Sequence, residues 1–294
     1  MATGITLSTT SNLSDGQAIF IEAAMEAFEP AAPDPDLVEN ERIPVGVKTW
    51  NILTYARLAQ ASALSEGVDL SQVQQLVVAT LPITPDEHGI IVTLSNRLKR
   101  RQGDSNVVSV AGRQIGGSLR RRMANDVIAL YGGFAKTIVG SGSALDISHF
   151  RGAVAYLMTD NSDAYGPAPM PLNAALHIEQ ISDIIEQITD TAPRGTTTGI
   201  TEDMLQRWWK GSDRLYGVQV FHSGNIALDS NNDAKGAIFA KEALYLVMAN
   251  DADVTEEGDN SLRATEYGIF QEWSEAMRAD PHGLAVFSDA EATV

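Results

Sequence analysis

The sequence predicts an α+β fold, and three observations carry that expectation. One apolar helical stripe runs for about 28 residues from Asn106, several extended runs are rich in β-branched and aromatic residues, and the remainder mixes short helices and strands joined by short connections. With 294 residues, 44% of them hydrophobic and 20% charged, the composition is that of a globular chain able to bury one large core or two modest ones.

Residues 1–14 are rich in Ser, Thr, Asn and Gly without periodicity and read as a flexible arm. From Asp15, the helical spacing of Ala18, Ile21, Met25 and Phe28 predicts a helix that Pro30 stops. Residues 31–44, AAPDPDLVENERIP, cannot carry a helix through Pro33 and Pro35, so an extended tether is expected. Residues 48–55 suit a strand, SEGVD at 65–69 is a turn-like break, and a second extended run spans 76–94. In that run Pro82 and Pro85 keep part of the segment out of a central sheet position. Together they predict a long two-armed hairpin whose edges leave backbone donors and acceptors ready to pair with another chain.

The spine helix that follows carries Val107, Val110, Ala111, Ile115, Leu119, Met123 and Val127 along one stripe and ends at Gly132-Gly133. Gly112, Gly116 and Gly117 each weaken it by roughly 1 kcal/mol relative to Ala, so packing must hold it. Further on, Ser148 is expected to cap a helix through Met158, residues 172–178 to form a strand, and residues 179–188 a helix ending before a mobile loop. Thr201 caps another helix carrying Leu205, Trp208 and Trp209, and residues 217–224 read as a buried strand. AIFAKEALYLVM, 237–248, fits strand, although its apolar run allows helix by periodicity alone. ATEYGIFQEWSEAM and LAVFSD read as a hairpin with its turn at residues 280–283.

Chemistry is sparse. The chain has no cysteine, which removes disulfides, zinc ribbons and thiol nucleophiles. No window approaches the roughly 18 apolar residues of a membrane helix, and the first thirty residues lack a basic start before an apolar run, so neither membrane insertion nor secretion is expected. There is no phosphate loop and no H-E-x-x-H. GSGSA at 140–144 lacks the strand and helix that would make it a phosphate cradle. DSNNDAKG begins like a calcium loop, but Ala234 replaces the sixth-position glycine and Ala240 the twelfth-position glutamate. ANDADVTEEGDN fails in the same way, and both are expected to be exposed acidic loops. Asp146, Ser148 and His149 contain the residue types of a nucleophilic triad without a nucleophile elbow.

The net charge of −17 opposes attraction to nucleic-acid phosphates. Residues 97–122 depart from it, with Arg97, Lys99, Arg100, Arg101, Arg113, Arg120, Arg121 and Arg122 against Asp104 alone. This strip is either a solvated helix face or a surface that meets acidic groups on a neighbouring copy.

Four phrases, in order, carry a likeness: LSEGVD at 64–69, ITPDEHGIIVTLSN at 83–96, LNAALHIEQISDI at 172–184, and LYGVQVFHSGNI followed by AIFAKEALYLVM. From about Gly46 to Ala290 the chain resembles the tailed-bacteriophage major capsid proteins of the Hong Kong 97 fold. Ile178 departs from that resemblance, standing where proline is usual in the family. The resemblance implies an α+β capsid fold with an N-terminal arm (1–45), an extended β-hairpin loop (46–80), a peripheral domain holding the spine helix and C-terminal strands (81–139 and 241–294) and a mixed axial domain (140–240). It also implies self-assembly as hexamers and pentamers into an icosahedral head around double-stranded DNA, without sequence-specific binding. Portal and scaffolding proteins are the further partners, and the virion is the location, with assembly in the host bacterial cytoplasm. No enzyme, cofactor, metal or membrane role is implied. Candidate intersubunit contacts are Trp50, Tyr55, Glu66, Asp69, Arg100, Arg101, Arg120 and Arg121. Lys48 lies at the hairpin base with no motif marking a target asparagine, so a non-covalent shell is expected. The rivals are an encapsulin-like compartment shell, a soluble hydrolase using Ser148 and His149, and, disfavoured by charge, a DNA-binding module.

Overall fold

A computed structural model describes residues 33–44, 46–61, 63, 66, 73–102, 104–159, 165–191 and 214–291. The expected arm at 1–14, the helix from Asp15 and the helix carrying Trp208 and Trp209 lie outside the described residues.

The chain enters through α1 (Asp34–Leu37) and β1 (Glu39–Arg42), then runs out and back through β2 (Trp50–Tyr55) and β3 (Val78–Ile83). After β4 (Asp86–Ser95) come α2 (Asn96–Gln102) and the 28-residue spine α3 (Asp104–Tyr131). The next stretch holds β5 (Thr137–Val139), α4 (Ile147–Met158), β6 (Leu172–Leu176), α5 (Ile178–Thr191), β7 (Arg214–Leu215), β8 (Val218–His222) and β9 (Asp233–Ala240). The chain closes through β10 (Leu244–Met248), β11 (Asp253–Asp259), β12 (Ala264–Met277) and β13 (Gly283–Asp289).

Two sheets share the spine. In the first, β12 lies centrally, with β4 along one edge and β10 and β11 in succession along the other, and β1 adds to β10 in parallel. The second has the order β5-β13-β9-β6-β8-β7. Its residues alternate between two cores as the period of a strand demands. Ala175, Ala237, Phe239 and Ala285 pack towards the spine, whereas Ala174, Leu176, Ile238, Ala240, Leu284 and Val286 join the residues of α4 and α5. Gly236 sits where β9 passes closest to β6, since a Cβ there would lie 2.6 Å from the Ala175 carbonyl oxygen.

The spine buries Ala111, Ile115, Leu119, Met123, Val127 and Tyr131 in an unbroken i, i+4 series against both sheets. Val110, expected in that stripe, is 51% exposed, and Val108 is buried in its place. At 1.5 Å per residue the helix is about 42 Å long, which is why one element serves two sheets.

Three further expectations are corrected. The tether is not simply extended. Pro33 and Pro35 occupy the cap and first turn of α1, where a missing N–H costs nothing, and β1 then pairs with β10. The C-terminal strands do not form a hairpin, because β12 belongs to the first sheet and β13 to the second. A 3-10 turn at Asp280–His282 carries the chain between them, and a matching turn at Lys241–Ala243 does so between β9 and β10. The two crossings are tied together, with Arg278 N–H and Ala279 N–H donating to the Ala243 carbonyl at 2.9 and 3.3 Å. Finally, ANDADVTEEGDN is no loop: most of it forms β11 along β12.

Residues 33–42 are fastened to the body by polar contacts as well as by Leu37 and Val38. The fully buried Asp34 carboxylate accepts from Tyr131 Oη at 2.9 Å and from Ser223 Oγ at 2.6 Å, and Asn173 Nδ2 donates to the Leu37 carbonyl at 2.9 Å. Burial pushes the Asp34 carboxyl above its ordinary value, against the lowering effect of those hydroxyls and of Arg120, and burial with the Asp34 charge pushes the Tyr131 hydroxyl up as well. A carboxyl raised in the folded state contributes stability that is full below its unfolded value, 3.8, and is lost as pH rises through the folded value. Asp34→Asn is therefore expected to compare best with the parent chain at neutral pH and to lose ground as pH falls through that raised value. Urea unfolding of both chains across pH 4 to 8 measures the difference, and a difference independent of pH would contradict it.

Candidate assembly surface

The hairpin has two unlike faces. Directly opposed residues on β2 and β3 share a face. Trp50/Ile83 and Ile52/Leu81 point to the body, where Ile52 and Ile83 meet Ile43 and Val247 in a small core of their own. Thr49 and Thr84 hydroxyls, 3.0 Å apart, close the root. The other face carries Leu53/Thr80 and Tyr55/Val78, and there Leu53 is 46% and Tyr55 52% exposed.

Beyond the strands the two arms stay together. Ala56 N–H donates to the Val77 carbonyl at 3.0 Å, and Gln74 reaches across to pair with both backbone groups of Ala59 at 2.8 and 3.3 Å. Leu58, Val73, Leu76 and Val77 are exposed along this stretch, Val73 at 91%. Burying one such side chain is worth roughly 1.5–3 kcal/mol, so a row of them left in water marks a surface completed by something else.

The predicted contact residues separate by environment. Trp50 is half-buried against the root core, Tyr55 is exposed, and Glu66 is exposed in a turn at the far end. Asp69 lies outside the described residues. Arg100 and Arg101 are exposed on α2, and Arg121 is exposed on the spine. Arg120 instead turns inward to Asp36 at 2.5 Å, with its side chain only 13% exposed, so it fastens α1 to the spine. Within the same strip Arg122 bridges to Asp126 at 2.9 Å, and Lys99 donates to Tyr267 Oη at 2.7 Å. The exposed apolar run 73–78 was missed as a contact surface. Its signal was present, because LVVA at 76–79 puts apolar residues on both faces of one extended run, the pattern of a strand covered on both sides.

The residues considered for chemistry have structural roles. Asp146, not Ser148, caps α4: its carboxylate accepts from Ser148 N–H at 2.7 Å, while Nδ1 of His149 accepts from the Asp146 N–H at 3.4 Å. The hydrogen bonds from Ser148 hold the Asp146 carboxyl below its usual value. Asp146→Ala is expected to cost about 1 kcal/mol in thermal unfolding, as lost caps do, whereas His149→Ala should leave ester hydrolysis at the parent's level. The GSGSA turn is fastened from within, since Asp233 accepts from Gly142 N–H at 2.8 Å and from the Ser141 hydroxyl. Asp229 in turn accepts from Asn231 N–H and Asp233 N–H at 2.8 and 3.0 Å, closing DSNND on itself. Among the described residues no cluster of three or more His, Asp or Glu is placed to hold a metal, and no helix is long and apolar enough to cross a membrane.

The spine, the two sheets meeting along it and the outstretched hairpin define the Hong Kong 97-type capsid fold. Solved structures overlay the chain nearly end to end. The capsid of Ralstonia phage GP4 is similar with a TM-score of 0.67 and 10% identity, covering 88% of each chain. The acid-stable capsid of Helicobacter pylori bacteriophage KHP30 matches with a TM-score of 0.65 and 12% identity over 86% of this chain and 87% of that one. The virus-like particle from Pyrococcus furiosus matches with a TM-score of 0.55 and 12% identity, over 91% and 97%. No protein-family model matches the chain, and no curated protein matches it in sequence.

Proposed function

We propose that this chain is the major capsid protein of a tailed phage, assembling with copies of itself into the icosahedral head that encloses double-stranded DNA. The observation that carries this reading is the hairpin: a two-stranded arm with a core only at its root and an uncovered row of apolar side chains beyond it. Such an arm is a liability on a monomer and a binding surface in a closed symmetric lattice. The fold supports the same reading, since phage capsids overlay the chain over almost its whole length.

In the shell, Tyr55 and the apolar run at 73–78 lie on one neighbour, and Trp50 sets the angle at which the hairpin leaves the body. The exposed Arg100, Arg101 and Arg121 meet acidic surface on adjacent copies, with Glu66 and Asp69 as candidate acidic partners. An exposed ion pair is worth roughly 0–1 kcal/mol, so such contacts act through repetition around hexamers and pentamers. The division into arm (1–45), hairpin (46–80), peripheral region (81–139 with 241–294) and axial region (140–240) belongs to this reading, as do portal and scaffolding partners. The virion is its place, following assembly in the host cytoplasm, and the role is structural. A phage head is preferred over an encapsulin-like shell because phage capsids recur among the solved structures that overlay the chain.

Sedimentation velocity and negative-stain imaging of the purified chain, with a scaffolding partner where one is needed, test the proposal. Closed shells appearing above a threshold concentration are expected. Compact monomers at every concentration, with a hairpin that resists protease in isolation, would reject it.

A further inference from the structure

A polar cavity that the capsid reading leaves without a role opens between the outer end of β2 and the two turns at which the chain crosses between sheets. It has a volume of about 180 Å³, and its lining includes Arg57, Arg278, His282, Tyr55, Tyr165 and Glu242. His282 is only 7% exposed and stands edge-on to the Tyr165 ring at 5.6 Å. The nearby Gly166 backbone favours the charged imidazole, yet neither ring nitrogen has a partner in hydrogen-bond geometry. An imidazole always carries at least one N–H, and a buried donor without an acceptor is costly, so this ring calls for an acceptor inside the cavity.

The two arginines are positioned rather than loose. Nη1 of Arg278 donates to Glu242 at 3.3 Å and to Tyr245 Oη at 3.0 Å, which fixes a guanidinium that has further N–H donors to offer. Arg57 lies against Gly166, whose φ is +75°, and a Cβ at that position would stand 2.9 Å from Arg57 Nη1. Only glycine gives both the backbone conformation and the room for that approach. The lining thus carries two guanidinium groups and an imidazole donor against one carboxylate, which Arg278 already engages.

We propose that this cavity is a binding site for a small oxyanion, held between Arg57, Arg278 and His282. Guanidinium groups match the planar geometry of carboxylate and the tetrahedral oxygens of phosphate. The volume suits a phosphate or a side-chain carboxylate and is well below the roughly 300–1,000 Å³ of sites for larger ligands. The anion comes either free from solution or as the carboxylate of another copy of this chain.

Calorimetric titration of the unassembled chain with inorganic phosphate and, separately, with acetate at constant ionic strength is the test. Saturable one-site binding of at least one probe is expected, weakened about tenfold or more by Arg57→Gln and by His282→Gln. Arg57 is exposed, so the first variant folds even where the second does not. Repeating the titration on assembled shells, an arm that rests on the capsid reading, separates the two sources. Unchanged binding at one site per chain assigns a free anion, and binding lost on assembly and regained on disassembly assigns a neighbour's carboxylate. Absence of saturable binding by either probe, or equal affinity in Arg57→Gln, overturns the proposal and leaves the capsid reading standing.

Discussion

Replacing Trp273 with alanine is expected to remove about 4 kcal/mol of folding stability, within the range measured for large aromatic side chains deleted from cores. Trp273 is fully buried at the point where the first sheet meets the spine. Its strand is flanked there by Met248 of β10 and Asp86 of β4, its indole N–H donates to Asp126 Oδ2 at 3.1 Å, and the His88 ring stacks on it at 4.0 Å. Two costs add in the variant: the void left by the indole, and an Asp126 carboxylate reduced to its bridge with Arg122. The second cost is aggravated by Glu275, whose carboxyl is held above its ordinary value first by burial and then by the nearby Asp126 charge. Trp273→Phe retains most of the ring and loses the donor, so it should cost nearer 1–2 kcal/mol. Because domains are stable by only about 5–15 kcal/mol, the alanine variant should unfold at visibly lower urea concentration by circular dichroism. A loss below 1 kcal/mol would mean that the spine and the first sheet do not form one continuous core.

The spine was legible in the sequence because its seam is a strict i, i+4 series, a pattern contained within one segment. Val110 was misplaced because the apolar stripe of a helix is wide enough that a residue one step off the seam still matches it. The C-terminal strands show where local information stops. Both were readable from composition, and Asp280 to Gly283 was readable as a break, but their sheet membership depends on β9 and β4, far away in sequence. A turn of three residues can join two strands of one sheet or pass the chain to another, and only the long-range partners decide. The tether failed for a different reason: proline forbids the interior of a helix and favours its first turn, so Pro33 and Pro35 fit a short helix as well as none. The anion cavity was invisible because its lining comes from residues 54–57, 165, 242 and 278–282, four segments with no pattern in common.

The largest effect on function is expected from the hairpin. Leu53→Asp combined with Val77→Asp should leave the folded subunit nearly unchanged and abolish shell formation. Both side chains are exposed, at 46% and 59%, and neither belongs to the root core of Ile43, Ile52, Ile83 and Val247. Surface substitutions of this kind usually shift stability by no more than about 0.5 kcal/mol, so the thermal midpoint should hold. At a contact that buries them, each carboxylate must be desolvated without a partner, which costs several kcal/mol per site. Even 3 kcal/mol lowers an association constant by more than about a hundredfold, and every copy in a lattice repeats that penalty. Sedimentation velocity should therefore show subunits or small oligomers at concentrations where the parent closes into particles. Conservative replacement by Leu53→Ile and Val77→Ile provides the matching control, because it keeps the apolar row and should assemble as the parent does. Normal shells from the doubly charged chain would show that these two side chains stay in water after assembly, and the exposed apolar residues of the hairpin would then need another occupant.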